Sequence, residues 1–225
     1  MQDPKQVAGY YAANLVQDGM IVGLGTGSTA RFAIERLGQR VASGLSIKAV
    51  PTSEASAKLA RKLSIELVSL DNVASIDITI DGADEIDTEF NMIKGGGGAL
   101  LREKVVASIT RKQVCIVDPS KVVEQLGKFA LPVEVVPFGL TVVKRRLEAL
   151  GAAICNVRQD EGIDYITDNH NKIIDCGFYP IERPAELERQ IKMIPGVVEV
   201  GLFIGLAHVL VIGNPDGSVT VRERL

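Results

Sequence analysis

An α/β fold is predicted by two features of the first half of the chain. Short runs of strand length alternate with helical stretches, and the runs are predominantly apolar, as suits strands covered on both faces. The main domain is therefore expected to hold a mostly parallel sheet with helices on both faces. A third feature, a change of element order after residue 130, predicts a smaller α+β domain inserted near the end of the main one.

The elements follow in order. MIVGLG (20–25) is the first apolar run and ends in TGST; TARFAIERLGQRVA then carries Phe32, Ile34, Leu37 and Val41 at helical spacing. SIKAVP (46–51) is a second strand, and TSEASAKLARKL a helix opened by Ser/Thr capping residues. IELVSL (65–70) gives a third strand. SIDITI (75–80) alternates, with Ile76, Ile78 and Ile80 on one side and Asp77 and Thr79 on the other. ALLREKVVASITRK reads as a helix and QVCIVD (113–118) as another buried strand.

Beyond these, LPVEVVPFG, LTVVKRRLEALG, AAICNVR, DYITDNHNKIIDCGF, PAELERQIKMIPG and VVEVGLF read as strand, helix, strand, hairpin, helix and strand. That order suggests a ferredoxin-like layout. HVLVIGNPDGSVTVRE is a hairpin about Asn214–Gly217 that is expected to rejoin the first domain. The division expected is 1–129 with 204–225 against 130–203.

Composition narrows the function. The 225 residues carry a net charge of −3 with acids and bases interspersed, so no basic face for nucleic acid is expected. MQDPKQVAGYYAANLVQDG lacks a signal peptide's apolar core, and no stretch nears the ~20 apolar residues of a membrane span, so no membrane partner is expected. The cysteines number three (Cys115, Cys155, Cys176) without CxxC spacing. A cytoplasmic chain with thiols is expected, rather than a disulfide framework or a zinc site. His170 and His208 have no Cys or carboxylate at triad or metal spacing, so acid–base work falls to carboxylates and lysines.

In an open parallel sheet, ligands bind beyond the carboxyl ends of the strands. Gly25-Thr26-Gly27-Ser28-Thr29 follows the first strand, Asp81-Gly82-Ala83-Asp84-Glu85 follows SIDITI, and Asp118-Pro119-Ser120-Lys121 follows QVCIV. GTGST suits either a small phosphate or an ordinary helix cap. It is not a dinucleotide fingerprint, because position 28 is serine where the third glycine belongs, and no lysine closes it as a P-loop. Asp81 and Asp84 lie on one tight turn and suit sugar hydroxyls, magnesium or a shared proton, or else form a solvated turn. Lys94 precedes four glycines, Gly95–Gly98, whose bare N–H groups can approach a ligand closely. Glu103 falls near the start of the next helix, whose field favours its charged form while burial opposes it, a setting for proton transfer.

GLGTGST, DGADE, KGGGGALLREK, DPSK and LGKFALPVEVVPFG, together with GVVEVGLF and GNPDG, resemble the type A family of ribose-5-phosphate isomerases, in the family's order. The resemblance implies a Rossmann-like domain with a ferredoxin-like lid that also serves oligomerisation. It implies interconversion of ribose 5-phosphate and ribulose 5-phosphate, in the pentose phosphate pathway or the Calvin cycle, by a homodimer or homotetramer without a cofactor or metal. Glu103 takes the place of the general base, with Asp81, Asp84 and Lys94 beside it. Thr26, Gly27, Ser28, Thr29, Gly82, Ala83, Gly95, Gly96, Gly97 and Lys121 match substrate-binding positions, and Lys5 an N-terminal lysine that helps hold phosphate. GLFIGLAHVL departs from the pattern, with His208 near a common aspartate position. A non-catalytic sugar-phosphate sensor and an isomerase of another sugar phosphate are the alternatives; an acyl-CoA transferase would be expected to place its glutamate on a far longer chain.

Overall fold

The computed structural model describes residues 2–224. They form two compact units: residues 2–83, 102–122 and 205–224, and residues 84–101 and 123–204.

The first unit is built on a seven-stranded sheet. Its order is Val219–Glu223, Val209–Gly213, Thr110–Val117, Ile76–Asp81, Ile21–Leu24, Lys48–Pro51 and Glu66–Leu67. Every pairing is parallel except that of the outermost strand, Val219–Glu223, which returns antiparallel along Val209–Gly213. The final hairpin thus belongs to this sheet, as its sequence implies. Chain order reverses between Ile21–Leu24 and Ile76–Asp81, which makes their carboxyl ends the topological switch point of the sheet.

Helices α1 (Pro4–Ala13), α2 (Ser28–Ala42) and α3 (Glu54–Lys62) supply Ala8, Ala12, Ile34, Leu37 and Ala60 to a core with Val22, Leu24, Ile78, Ile80, Val114 and Val211. Helix α4 (Leu100–Ser108) contributes Val106 to a second cluster with Val50 and Ile76. Ile76 therefore parts from Ile78 and Ile80, against the simple alternation expected of SIDITI. Helix α1 had no counterpart in the sequence reading. The Asp3 side chain caps it by accepting from Lys5 N, Pro4 occupies its first turn, and alanines let it lie close to the sheet. A side chain at Gly213 would overlap the Pro4 carbonyl oxygen, so that strand and α1 touch backbone to backbone.

The second unit holds a four-stranded antiparallel sheet ordered Val197–Val200, Leu131–Val135, Lys172–Gly177 and Ile154–Val157. Helices α5 (Leu140–Ala149) and α6 (Pro184–Lys192) pack Val143, Leu147 and Ile191 against Leu131, Val133, Ile174 and Cys176. Numbered along the chain the strands stand 4-1-3-2 with a helix after the first and third, which is the ferredoxin-like arrangement. The hairpin expected within DYITDNHNKIIDCGF is not formed: Ile163–Asp164 pairs with Gln159–Asp160 instead. The turn before Lys172 is closed by Thr167 N donating to Asn171 O at 2.9 Å. Burial pushes the Cys155 and Cys176 thiols up, although their sulfurs are 3.7 Å apart on paired strands.

A three-stranded sheet, Leu202–Phe203, Met92–Ile93 and Glu85–Ile86, explains why residues 84–101 group with the second unit rather than within 1–129 as the sequence division had them. Residues 123–129 join the same unit. The buried Glu85 carboxylate accepts from Gly127 N at 2.7 Å and Phe129 N at 2.6 Å, which ties that segment down. Glu85→Ala strands both donors and is expected to cost roughly 2–6 kcal/mol, at about 1–3 kcal/mol per unmet buried donor, in a urea unfolding titration. A change below roughly 0.5 kcal/mol would contradict that role.

Candidate active site

At the switch point of the first unit, strand Ile21–Leu24 runs into the turn Gly25–Thr29, with Gly27 at φ 107° as the residue before α2. The register Leu24↔Ile80 carries the end of Ile76–Asp81 alongside that turn. The Asp81 side chain, 1% exposed, uses Oδ1 to accept from Thr26 N at 3.1 Å and Gly82 N at 2.8 Å. A side chain on Gly25 would overlap this carboxylate, so only glycine allows the approach.

Beneath the turn, Thr26 meets the hydroxyls of Thr52, Ser53 and Ser56, a segment whose sequence suggests only helix caps. Thr26 Oγ1 is 2.7 Å from Thr52 Oγ1 and donates to Ser53 Oγ at 2.8 Å, while Ser56 Oγ donates to Gly25 O at 2.6 Å. Above it, Ser28 is exposed and Lys5 Nζ donates to Ser28 Oγ at 3.1 Å, so the N-terminal lysine stands at the expected turn. Thr29 is half-buried in the first turn of α2. Lys121 ends the turn after strand Thr110–Val117, where Asp118 Oδ1 accepts from Ser120 N at 2.9 Å. Glu103 is in the first turn of α4 and 4% exposed. Its neighbour Arg102 donates to Glu54 Oε1 at 2.9 Å, anchoring α4 to the start of α3 and holding the Glu54 carboxyl below the usual range.

The second unit holds Asp84, Lys94 and the glycine turn. Lys94, 3% exposed, has its backbone N donating to Gly201 O at 2.8 Å and its Nζ 5.5 Å from the centre of the Phe203 ring. The turn closes by Gly98 N donating to Gly95 O at 2.9 Å; Gly96 and Gly97 are exposed while Gly95 and Gly98 are buried. Gly96 N donates to Asp84 Oδ2 at 2.7 Å. Gly98, at φ 77°, has no room for a side chain beside Tyr165 Oη. Burial first, and Asp168 second, push the Tyr165 phenol up, so it remains a neutral hydroxyl at neutral pH. Arg158 Nη1 donates to the carbonyl oxygens of Gly95 at 2.7 Å and Gly96 at 3.2 Å. Neither Arg158 nor Tyr165 carried a signal in the sequence, where each is a lone residue beside a short strand.

Within the first unit the structure brings together Thr26, Asp81 and Gly82, and separately Lys5 and Ser28. Within the second it brings together Asp84 and Gly96, with Lys94 and Gly95–Gly98 in one continuous segment. Ala83 is the half-buried link between the two carboxylates. Among the described residues no group of His, Cys, Asp and Glu has the geometry to hold a metal ion, and no helix is long and apolar enough to cross a membrane.

The model of the ribose 5-phosphate isomerase A (phosphoriboisomerase A) family matches residues 48–217. This chain belongs to that family. It is 49% identical to ribose-5-phosphate isomerase A of Bacillus mycoides over 96% of this chain and 98% of that protein, and 51% identical to that of Gloeobacter violaceus over 95% and 93%. Among solved structures, the ribose 5-phosphate isomerase of Plasmodium falciparum superposes with a TM-score of 0.94 at 39% identity, covering 97% of both chains. A D-ribose-5-phosphate isomerase in complex with phospho-erythronic acid also reaches 0.94, at 36% identity over 99% of this chain and 100% of that one. The family's mostly parallel sheet with its helices and small antiparallel sheets is the fold described above.

The Gly25–Asp81 contact yields a prediction. Gly25→Ala drives a methyl group into the Asp81 carboxylate and is expected to lower turnover by roughly 10²-fold, as small misplacements near the chemistry do, with the fold retained by circular dichroism. Turnover within about threefold of wild type would contradict the importance of the contact.

Proposed function

We infer that this chain is an aldose–ketose isomerase that interconverts D-ribose 5-phosphate and D-ribulose 5-phosphate, a step of sugar-phosphate metabolism. The observation that carries this reading is family membership over almost the whole chain, together with the turns Gly25–Thr29 and Asp81–Gly82 at the two strand ends that form the switch point of the sheet.

The chemistry assigns each residue a task. Conversion of aldose to ketose removes the C2 proton and returns it to C1 through a cis-enediolate, so carbon, oxygen and charge balance without a redox partner. Glu103 is proposed as the base that shuttles this proton; its place in the first turn of α4 and its burial support the assignment. Lys94, with the N–H groups of Gly95 and Gly97, is proposed to stabilise the negative charge that grows on the sugar oxygen, while the Gly96 N–H holds the Asp84 carboxylate in place. Asp81 and Asp84, with Gly82 and Ala83 between them, orient sugar hydroxyls and assist opening of the furanose ring. Thr26, Gly27, Ser28 and Thr29 hold the phosphate with Lys5 and Lys121; the Lys5–Ser28 hydrogen bond supports Lys5 in that set. The phosphate is then a remote handle whose binding energy fixes the reacting carbons. A relative bound to phospho-erythronic acid accords with a pocket for a phosphorylated sugar acid.

The enzyme is proposed to act in the cytoplasm as a homodimer or homotetramer, in the non-oxidative pentose phosphate branch or the Calvin cycle. Light scattering under assay conditions tests the assembly, and a single-chain mass would remove it.

Glu103→Gln keeps shape and burial but loses the base. The kcat for ketose formation is expected to fall by about 10²–10⁴-fold, the usual contribution of one positioned base, with KM little changed. Deuterium entry at C1, followed in heavy water, should fall in parallel. Near-wild-type exchange in this variant would assign the proton shuttle elsewhere. A wild-type chain that binds ribose 5-phosphate without exchanging any proton would support the sensor reading instead.

A further inference from the structure

We propose that Arg158 is a positioning residue for this reaction: it aims the N–H groups of the glycine turn from behind. The inference rests on the isomerase reading and deepens it by naming what orders a segment with no side chains of its own.

The run Gly95–Gly98 raises a physical difficulty. Donors that stabilise developing charge are effective only when their direction is set before the charge appears. Glycine, however, is the residue with most backbone freedom to lose, and fixing one residue's backbone costs roughly 1–2 kcal/mol. Four glycines in sequence lack the side chains that ordinarily hold a turn in place. Something else must hold their peptide planes.

Arg158 holds two of them. Its Nη1 donates to Gly95 O at 2.7 Å and to Gly96 O at 3.2 Å. A trans peptide is planar, and its C=O and N–H point in opposite directions. Gly95 O shares a plane with Gly96 N, so fixing that carbonyl turns Gly96 N–H away from Arg158, where it donates to Asp84 Oδ2 at 2.7 Å. Gly96 O shares a plane with Gly97 N in the same way, so Gly97 N–H is also directed away from the guanidinium. One side chain thereby sets two N–H directions and, through Gly96, the orientation of the Asp84 carboxylate.

Arg158 is itself held firmly. Asp175 Oδ2 accepts from its Nε at 2.9 Å and Asp175 Oδ1 from its Nη2 at 2.5 Å, the forked pairing that only arginine makes. The Tyr165 ring centre is 5.9 Å from its Cζ. Its backbone N donates to Ile173 O at 2.9 Å and its O accepts from Tyr165 N at 2.9 Å. The direction of the glycine peptides is thus referred to the antiparallel sheet.

The test compares wild type with Arg158→Met and Arg158→Lys. In Arg158→Met, kcat is expected to fall about 10–10²-fold with KM changed by less than about threefold, a loss below the roughly 10²–10³-fold of deleting an oxyanion donor outright. Amide exchange at Gly96 and Gly97, followed by NMR, should quicken while exchange along Lys172–Gly177 stays as in wild type. Arg158→Lys restores charge but not the fork, so kcat should remain depressed. Any of three results overturns the proposal: a kcat for Arg158→Met within about threefold of wild type, a wild-type kcat for Arg158→Lys, or faster exchange spread equally along Lys172–Gly177. If wild type itself fails to convert ribose 5-phosphate, the isomerase reading fails, whatever Arg158 does.

Discussion

The first unit depends on one carboxylate oxygen. Asp81 Oδ1 accepts from both Thr26 N and Gly82 N, so a single buried atom joins the turn after one strand to the turn after its neighbour. A charge withdrawn from water is costly unless hydrogen bonds replace its hydration. Backbone N–H groups serve this purpose well because the sheet has already fixed them. The register Leu24↔Ile80 delivers Asp81 to the place, and the absence of a side chain at Gly25 lets it in. Sheet pairing, turn geometry and placement of the acid are therefore one constraint.

The second unit meets the same problem in reverse. There the chain supplies bare backbone, and side chains come to it: Asp84 and Arg158 engage the glycine turn, while Phe203 faces the Lys94 ammonium. Both units set polar groups in position by tying flexible segments to strands. The hydroxyl cluster of Thr26, Thr52, Ser53 and Ser56 repeats the theme, since it anchors the Gly25 carbonyl from below through Ser56.

Much of this was legible because it is local. Apolar runs mark the strands of the parallel sheet, the residues just past them mark its carboxyl rim, and the spacing of GGGG to Glu103 places that acid near the start of a helix. What was missed has two causes. Helix α1 carries an Asp3-Pro4 start signal, but its alanines and Gly9 give no apolar stripe to recognise. The roles of Arg158 and Tyr165 depend on partners far along the chain: Arg158 meets Gly95 across 63 positions and has no short-range signature. The grouping of residues 84–101 with the second unit follows likewise from pairing of Met92–Ile93 with Leu202–Phe203. Side-chain periodicity reports which face is apolar; it does not report which distant backbone a lone cation will find.

The borders of the seven-stranded sheet have a bearing on how copies of this chain keep apart. One border is Glu66–Leu67, too short to template an incoming strand, and the other is Val219–Glu223, with Arg222 and Glu223 exposed and Lys112 Nζ 3.9 Å from Glu223 Oε1. Short or charged borders discourage the strand-to-strand growth that leads to aggregates. A crowded cell can therefore hold many copies of this sheet without their backbones zipping together.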